Sequence, residues 1–186
     1  MLQWTIWIAL AAVAVYAVYL FNRLVRTRQM ASEAWSGIDV QLKRRSDLVP
    51  NLVETVKGYA SHERGVLSQV VELRNAARAV PEADVDARAK AEGALSAGLA
   101  RLFALAESYP DLKASGNFLE LQRELSALEN ELQMARRYYN GAVRNLNTMV
   151  ETVPSNLIAR TFGFEPRVYF ELADAGERAT PAVNLR

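Results

Sequence analysis

The single histidine, His62, stands beside Glu63, an imidazole and a carboxylate of the kind that exchange protons in hydrolytic sites. Adjacent positions on a helix face about 100° apart, and no serine or acid is spaced to serve as nucleophile and orienter around them. Glu63, Glu107, Asp111, Glu129 and Glu131 have the chemistry to share a metal ion between helices. The Glu-x-x-His arrangement of di-iron bundles is nevertheless missing, because residues 59–62 read Tyr-Ala-Ser-His. The chain has no cysteine, which removes thiolate nucleophiles, disulfides and cysteine-ligated zinc or iron-sulfur centres. Its nine glycines are scattered singly, so no glycine-rich loop is available to cradle a phosphate. The expectation is a protein that is not an enzyme, with no catalytic, cofactor-binding or metal-ligating residues.

Binding chemistry is better represented. Arg136, Arg137, Tyr138, Tyr139 and Asn140 sit together, either as a partner-binding patch or as bundle packing with solvated charge. Tyr109–Lys113 reads as a turn held by Pro110, at a bundle end where functional residues often gather. Asn117, Asn130, Asn140, Asn145 and Asn147 are unusual in a long helical pattern, since short amides compete with backbone bonding. Asn117 is an N-cap candidate; the others offer buried hydrogen bonds that set helix register, or contacts to a ligand. The 22 basic and 21 acidic residues leave a net charge of +1, which argues against a nucleic-acid partner.

The elements that must position these residues begin with an apolar run. No charged side chain occurs from Met1 through Phe21, and about 20 residues at a rise of roughly 1.5 Å cover one hydrocarbon core. Trp4 and Trp7 near one end and Tyr16 and Tyr19 near the other suit the headgroup levels. A cleaved signal peptide would need a basic leader, a shorter apolar stretch and a small-residue cleavage site, none of which is present. Residues 1–22 therefore read as a retained transmembrane anchor. Arg23, Arg26, Arg28, Lys43, Arg44 and Arg45 follow it, against only Glu33 and Asp39, so residues 23–45 form a basic neck and the start of the first soluble helix. The positive-inside bias places this side in the cytoplasm, and the neck serves either as that topology signal or as a contact to anionic lipid.

Beyond the neck, Val49, Leu52, Val53, Val56, Tyr59, Ala60, Val66, Leu67, Val70 and Leu73 mostly return at three and four residues, the pattern of an amphipathic helix ending near Arg78. Pro50 marks a kink or a fresh start, with Asp47 or Ser46 as the cap. A helix from about Asp84 to Glu107 presents Ala91, Leu95, Gly98, Leu102, Leu105 and Tyr109 on one face. Phe118, Leu121, Leu125, Leu128, Leu132, Ala135, Tyr139, Ala142, Leu146, Met149 and Val153 then alternate in steps of three and four, a seam of coiled-coil type. Pro154 closes it, and Ser155 or Asn156 caps one more short helix through Ile158, Ala159 and Phe162. Residues 46–172 read as an antiparallel helical bundle and 173–186 as a flexible C-terminal tail. The fold class is all-α: an N-terminal transmembrane helix followed by an antiparallel bundle of long helices.

Three blocks carry a resemblance: KRRSDLVPNLVETVKGYASHE at Lys43–Glu63, ARLFALAESYPDLKASGNFLELQRELSALENELQMARRYYNGAVRNLN at Ala100–Asn147, and VPSNLIARTFGFEPRVYFE at Val153–Glu171. With the N-terminal anchor, they resemble the LemA family of bacterial membrane-anchored helical proteins. The resemblance implies a helical bundle at a membrane. It implies no catalytic roles, because the family has no established enzymatic activity or cofactor.

The function expected is a non-enzymatic scaffold or adaptor in cell-envelope or membrane-associated processes. It would be a single-pass protein of the inner (plasma) membrane with most of the chain cytoplasmic. The partners expected are the lipid bilayer through the N-terminal helix and a protein of unknown identity; pairing with a second copy of the chain is left open, because the same heptads that build an internal bundle can pair between chains. The alternative is a small-molecule or lipid-binding module with a groove where Ala91 and Gly98 face Phe103 or Tyr139; an undetected hydrolase is a more distant one.

Overall fold

The computed structural model describes residues 2–171, and among these it contains six helices and no strand. They are α1 (Leu2–Tyr59), α2 (Arg64–Ala79), α3 (Val85–Ala106), α4 (Pro110–Lys113), α5 (Gly116–Glu151) and α6 (Ser155–Thr161). The chain is all-α. The expected tail at 173–186 lies outside the described residues.

α1 is a single helix of 58 residues, about 87 Å of axis, with no break at the expected limits of anchor and neck. It is the one helix among the described residues long and apolar enough to cross a membrane. From Gln3 to Tyr19 every side chain is exposed except the half-buried Ala17, and burial begins at Leu20. From there Leu24, Ala31, Ala34, Ile38, Leu42, Arg45, Val49, Leu52 and Val56 are buried, mostly three or four residues apart. The same helix is thus apolar on all sides first and amphipathic afterwards.

Pro50 lies inside α1 and starts no new helix. Its missing N–H leaves the Ser46 carbonyl without the usual donor four residues on. Arg74 of α2 supplies one, its Nε donating to that carbonyl at 3.0 Å. Ser46 and Asp47 accordingly sit in mid-helix and cap nothing, contrary to the expectation from sequence. The helix expected to run to Arg78 is instead interrupted at residues 60–63, between α1 and α2. Asp84 does cap α3, its Oδ1 accepting from the Ala87 N–H at 3.0 Å.

The described residues group into two compact units. One comprises Met1–Ile38 with Gln133–Tyr169. Here α1 and α5 run antiparallel: Trp35 packs against Tyr139 in a tilted pair with 5.3 Å between ring centroids, while Leu24, further back along α1, packs with Met149, further on along α5. α6 folds back so that Ala159 and Phe164 join Leu24 and Met149 in a small core. Gly163 ends α6 at φ 68°, and the Phe164 N–H reaches the Ala159 carbonyl at 2.9 Å. That is a left-handed helix stop which a residue with a Cβ would strain.

The other unit comprises Asp39–Leu132, with residues 170 and 171. α2 returns along α1 (Arg74 to Ser46, Arg78 to Asp47), α3 returns along α2 (Leu73 beside Gly98, Gln69 to Arg101), and α5 returns along α3 (Phe103 to Phe118). This is an up-down-up-down bundle in which α3 lies parallel to α1. Its core joins Val49, Leu52, Val56, Leu95, Leu102, Leu112, Phe118 and Leu125, each buried leucine or phenylalanine contributing roughly 1.5–3 kcal/mol.

Candidate functional site: a charged layer in the bundle seam

Arg45 follows Leu42 by three residues and precedes Val49 by four, so the period of α1 carries a guanidinium into the core of the Asp39–Leu132 unit, where it is 2% exposed. Arg88 and Glu92 occupy the equivalent stripe of α3, respectively two turns and one turn before Leu95, and both are buried. Arg45 Nη2 donates to Glu92 Oε2 at 2.5 Å and to the Glu92 carbonyl at 3.2 Å. Its Nη1 donates to Ser96 Oγ at 2.9 Å and to Glu129 Oε2 on α5 at 3.0 Å. Arg88 Nε lies 3.4 Å from Glu92 Oε1, and its Nη2 donates to Asp39 Oδ1 of α1 at 3.2 Å. Three helices thus meet in one layer, with Glu92 between two guanidiniums.

The geometry holds helices in register and offers no reacting group. The Ser96 hydroxyl, the candidate nucleophile within this layer, donates to the Glu92 carbonyl at 3.1 Å and accepts from Arg45. A slip of one turn along α1 or α3 would place a charge against leucines, which is costly in a core and gives a polar layer its power to specify alignment. Sequence reasoning counted Arg45 as part of the basic neck and left Arg88 and Glu92 unassigned. The available signal was their spacing from Leu42, Val49 and Leu95.

The residues singled out from sequence are dispersed. His62 is exposed in the α1–α2 turn, and its neighbour Glu63 accepts the Tyr109 hydroxyl at 3.1 Å, a bond that raises the Tyr109 pKa above the ordinary tyrosine value. Glu107 pairs with Lys113, Glu129 with Arg45 and Glu131 with Arg44, and Asp111 is exposed. Among the described residues no three or more His, Asp or Glu side chains converge as metal ligands. Tyr139 is buried, donating its hydroxyl to the Val168 carbonyl at 2.9 Å; burial raises its pKa, with Arg167 opposing. Arg137 and Tyr138 remain exposed beside it.

Among the asparagines, Asn147 is buried and bonds a loop rather than a neighbouring helix. Its Nδ2 donates to the Arg167 carbonyl at 2.9 Å and its Oδ1 accepts the Arg167 N–H at 2.8 Å, clamping the segment after α6 as a strand neighbour would. Asn130 and Asn145 are exposed. Asn117 is also exposed and lies within the first turn of α5 rather than capping it. The expected groove at Gly98 is closed, since a Cβ there would come within 2.7 Å of Leu73 Cδ1.

Similarity to known proteins accords with this architecture. The sequence profile of the LemA family matches residues 34–185, most of the chain. The chain belongs to the LemA family. It is 29% identical to Protein LemA of Metamycoplasma hominis over 149 residues, covering 78% of this chain and 67% of that protein. It is 24% identical over 200 residues to Magnetosome protein MamQ 2 of Paramagnetospirillum magneticum, covering 94% of this chain and 73% of the relative. With Magnetosome protein MamQ of Magnetospirillum gryphiswaldense the identity is 22% over 187 residues, covering 88% and 68%. Membership places this chain among membrane-associated helical proteins, and none of these names is that of an enzyme.

Proposed function

We propose that this LemA-family protein is a membrane-anchored, non-enzymatic scaffold: a single-pass helix in the inner membrane that continues without interruption into a helical bundle held on the cytoplasmic side. The observation carrying the proposal is the change of character along α1. The side chains of residues 3–19 are exposed except for the half-buried Ala17, whereas the same helix is buried along one face from Leu20 onward. Apolar surface of that extent is stable in hydrocarbon and not in water. The six basic residues between 23 and 45, all on the C-terminal side of the span, favour retention of that side in the cytoplasm. The α1–α5 seam is the internal one of a bundle, and pairing between copies through exposed faces is compatible with it.

Several features support an interaction role over catalysis. The buried charges are paired with one another, His62 stands in an exposed turn, and two relatives are named as proteins of the magnetosome rather than for a reaction. The small-molecule-binding alternative is disfavoured by the filled Gly98 layer. A proximity-labelling enzyme fused to the C-terminus in living cells tests the proposal. Reproducible enrichment of cytoplasmic-side membrane neighbours is the expected result. Labelling confined to the outer side, or no enrichment over an anchored enzyme lacking the bundle, would overturn it.

A further inference from the structure

The α5–α6 corner has apolar surface that the fold leaves uncovered. Val153, expected in the α5 seam, is 78% exposed, and Leu157 and Phe162 are 61% and 57% exposed. Their height along α1 follows from the antiparallel pairing within the same unit. Thr27 Oγ1 lies 3.8 Å from Met149 Sδ, and Leu24 packs with Met149. Val150, three residues before Val153, and Ile158, next to Leu157, pack with Phe21 and Val25 around the same small core, which puts the corner level with residues 21–25. Phe162 confirms that level, its ring centroid lying 4.8 Å from that of Phe21. Phe21 is the last residue of the uncharged run.

We infer that this corner is a second membrane contact, with Val153, Leu157 and Phe162 seated in the headgroup and upper acyl region beside the point where α1 leaves the bilayer. The inference rests on the anchor proposed above and extends it. Continuity with the membrane-crossing segment identifies the occupant as lipid. Side chains at this level that touch Phe21 lie at the hydrocarbon boundary, and interfacial apolar groups bury roughly 5–10 Å deep. Charge agrees: Arg23, Arg26, Arg28 and Arg160 are exposed around the corner against Glu151 and Glu165, a cationic excess suited to anionic headgroups.

The absence of cysteine makes the test direct. The full chain carries a single substitution, Leu157→Cys, Val153→Cys, Val13→Cys or Tyr138→Cys, labelled with an environment-sensitive fluorophore. Each is reconstituted in vesicles of mixed phosphatidylcholine and phosphatidylglycerol containing a lipid-borne nitroxide quencher. The expected result is loss of most emission at positions 13, 153 and 157, with position 138 as bright as without quencher. Positions 153 and 157 behaving like 138 while 13 is quenched would overturn the second contact and leave the anchor standing. Position 13 unquenched would overturn the anchor and this inference with it. Shielding of 153 and 157 from a water-soluble quencher without quenching by lipid would assign the surface to protein, which also contradicts the inference.

Discussion

Replacing Glu92 by glutamine removes the one anion shared by Arg45 and Arg88 while changing almost no volume. Glu92 and Arg45 are each 2% exposed, so solvent cannot take over the missing charge. Arg88 keeps Asp39 and Arg45 keeps Glu129, but those carboxylates are 28% and 38% exposed and partly screened. Breaking a buried pair on one side costs about 3–5 kcal/mol, and the surviving partners place Glu92→Gln near ~3 kcal/mol. For a chain of this size that is a fall of roughly 10 °C in the unfolding midpoint. The assay is thermal and urea unfolding of the full chain in detergent, followed by far-UV circular dichroism. Arg45→Met combined with Glu92→Met removes two of the three buried charges, leaves Arg88 on Asp39, and recovers most of the loss caused by Glu92→Gln. A Glu92→Gln loss under about 0.5 kcal/mol, the range of an ordinary surface change, would refute the layer's energetic role. So would a double variant as damaged as its two singles added together.

The remaining expectations rest on other contacts. Arg74→Ala costs about 1 kcal/mol in the natural background but little after Pro50→Ala, which restores a backbone donor to the Ser46 carbonyl; a double-mutant cycle by urea unfolding checks this. Gly98→Ala stays within about 1 kcal/mol, because its helix-propensity gain offsets the shift of the flexible Leu73 tip, whereas Gly98→Leu costs about 1–3 kcal/mol by overpacking. Thermal unfolding that finds Gly98→Leu neutral would reopen the groove. The raised Tyr139 pKa means that the native state holds this proton more tightly than the unfolded chain does. Its stabilising contribution is therefore complete below the ordinary tyrosine value of 10.0 and is lost as pH rises through the higher native value. Stability measured against pH should show the natural chain falling more steeply than Tyr139→Phe above that value.

Much of this architecture is written in apolar spacing. The α5 seam is legible because leucines recur on one stripe, and the anchor because uninterrupted apolarity has few other uses in a helix. The α1–α2 break is not legible: Val56, Ala60, Leu67 and Val70 stay on the three-and-four rhythm across it, and no proline or paired glycine marks the turn. Pro50, the stronger breaker on paper, is carried inside α1 because Arg74 replaces its lost bond. The charged layer was missed for a related reason. A search for core positions that counts only apolar residues passes over Arg45, Arg88 and Glu92, although their register is that of the core. Val153 marks the opposite case, a residue in seam register that the chain leaves exposed after α5 ends.

The central claim is that α1 crosses the membrane and continues as one helix into the bundle on the cytoplasmic side. Its most direct test is labelling of Gln3→Cys and Val40→Cys in intact and permeabilised cells with a membrane-impermeant maleimide, both positions being exposed in the fold. The account predicts that position 3 is labelled in intact cells and position 40 only after permeabilisation. Labelling of position 40 in intact cells, or of neither position until the membrane is opened, would contradict it.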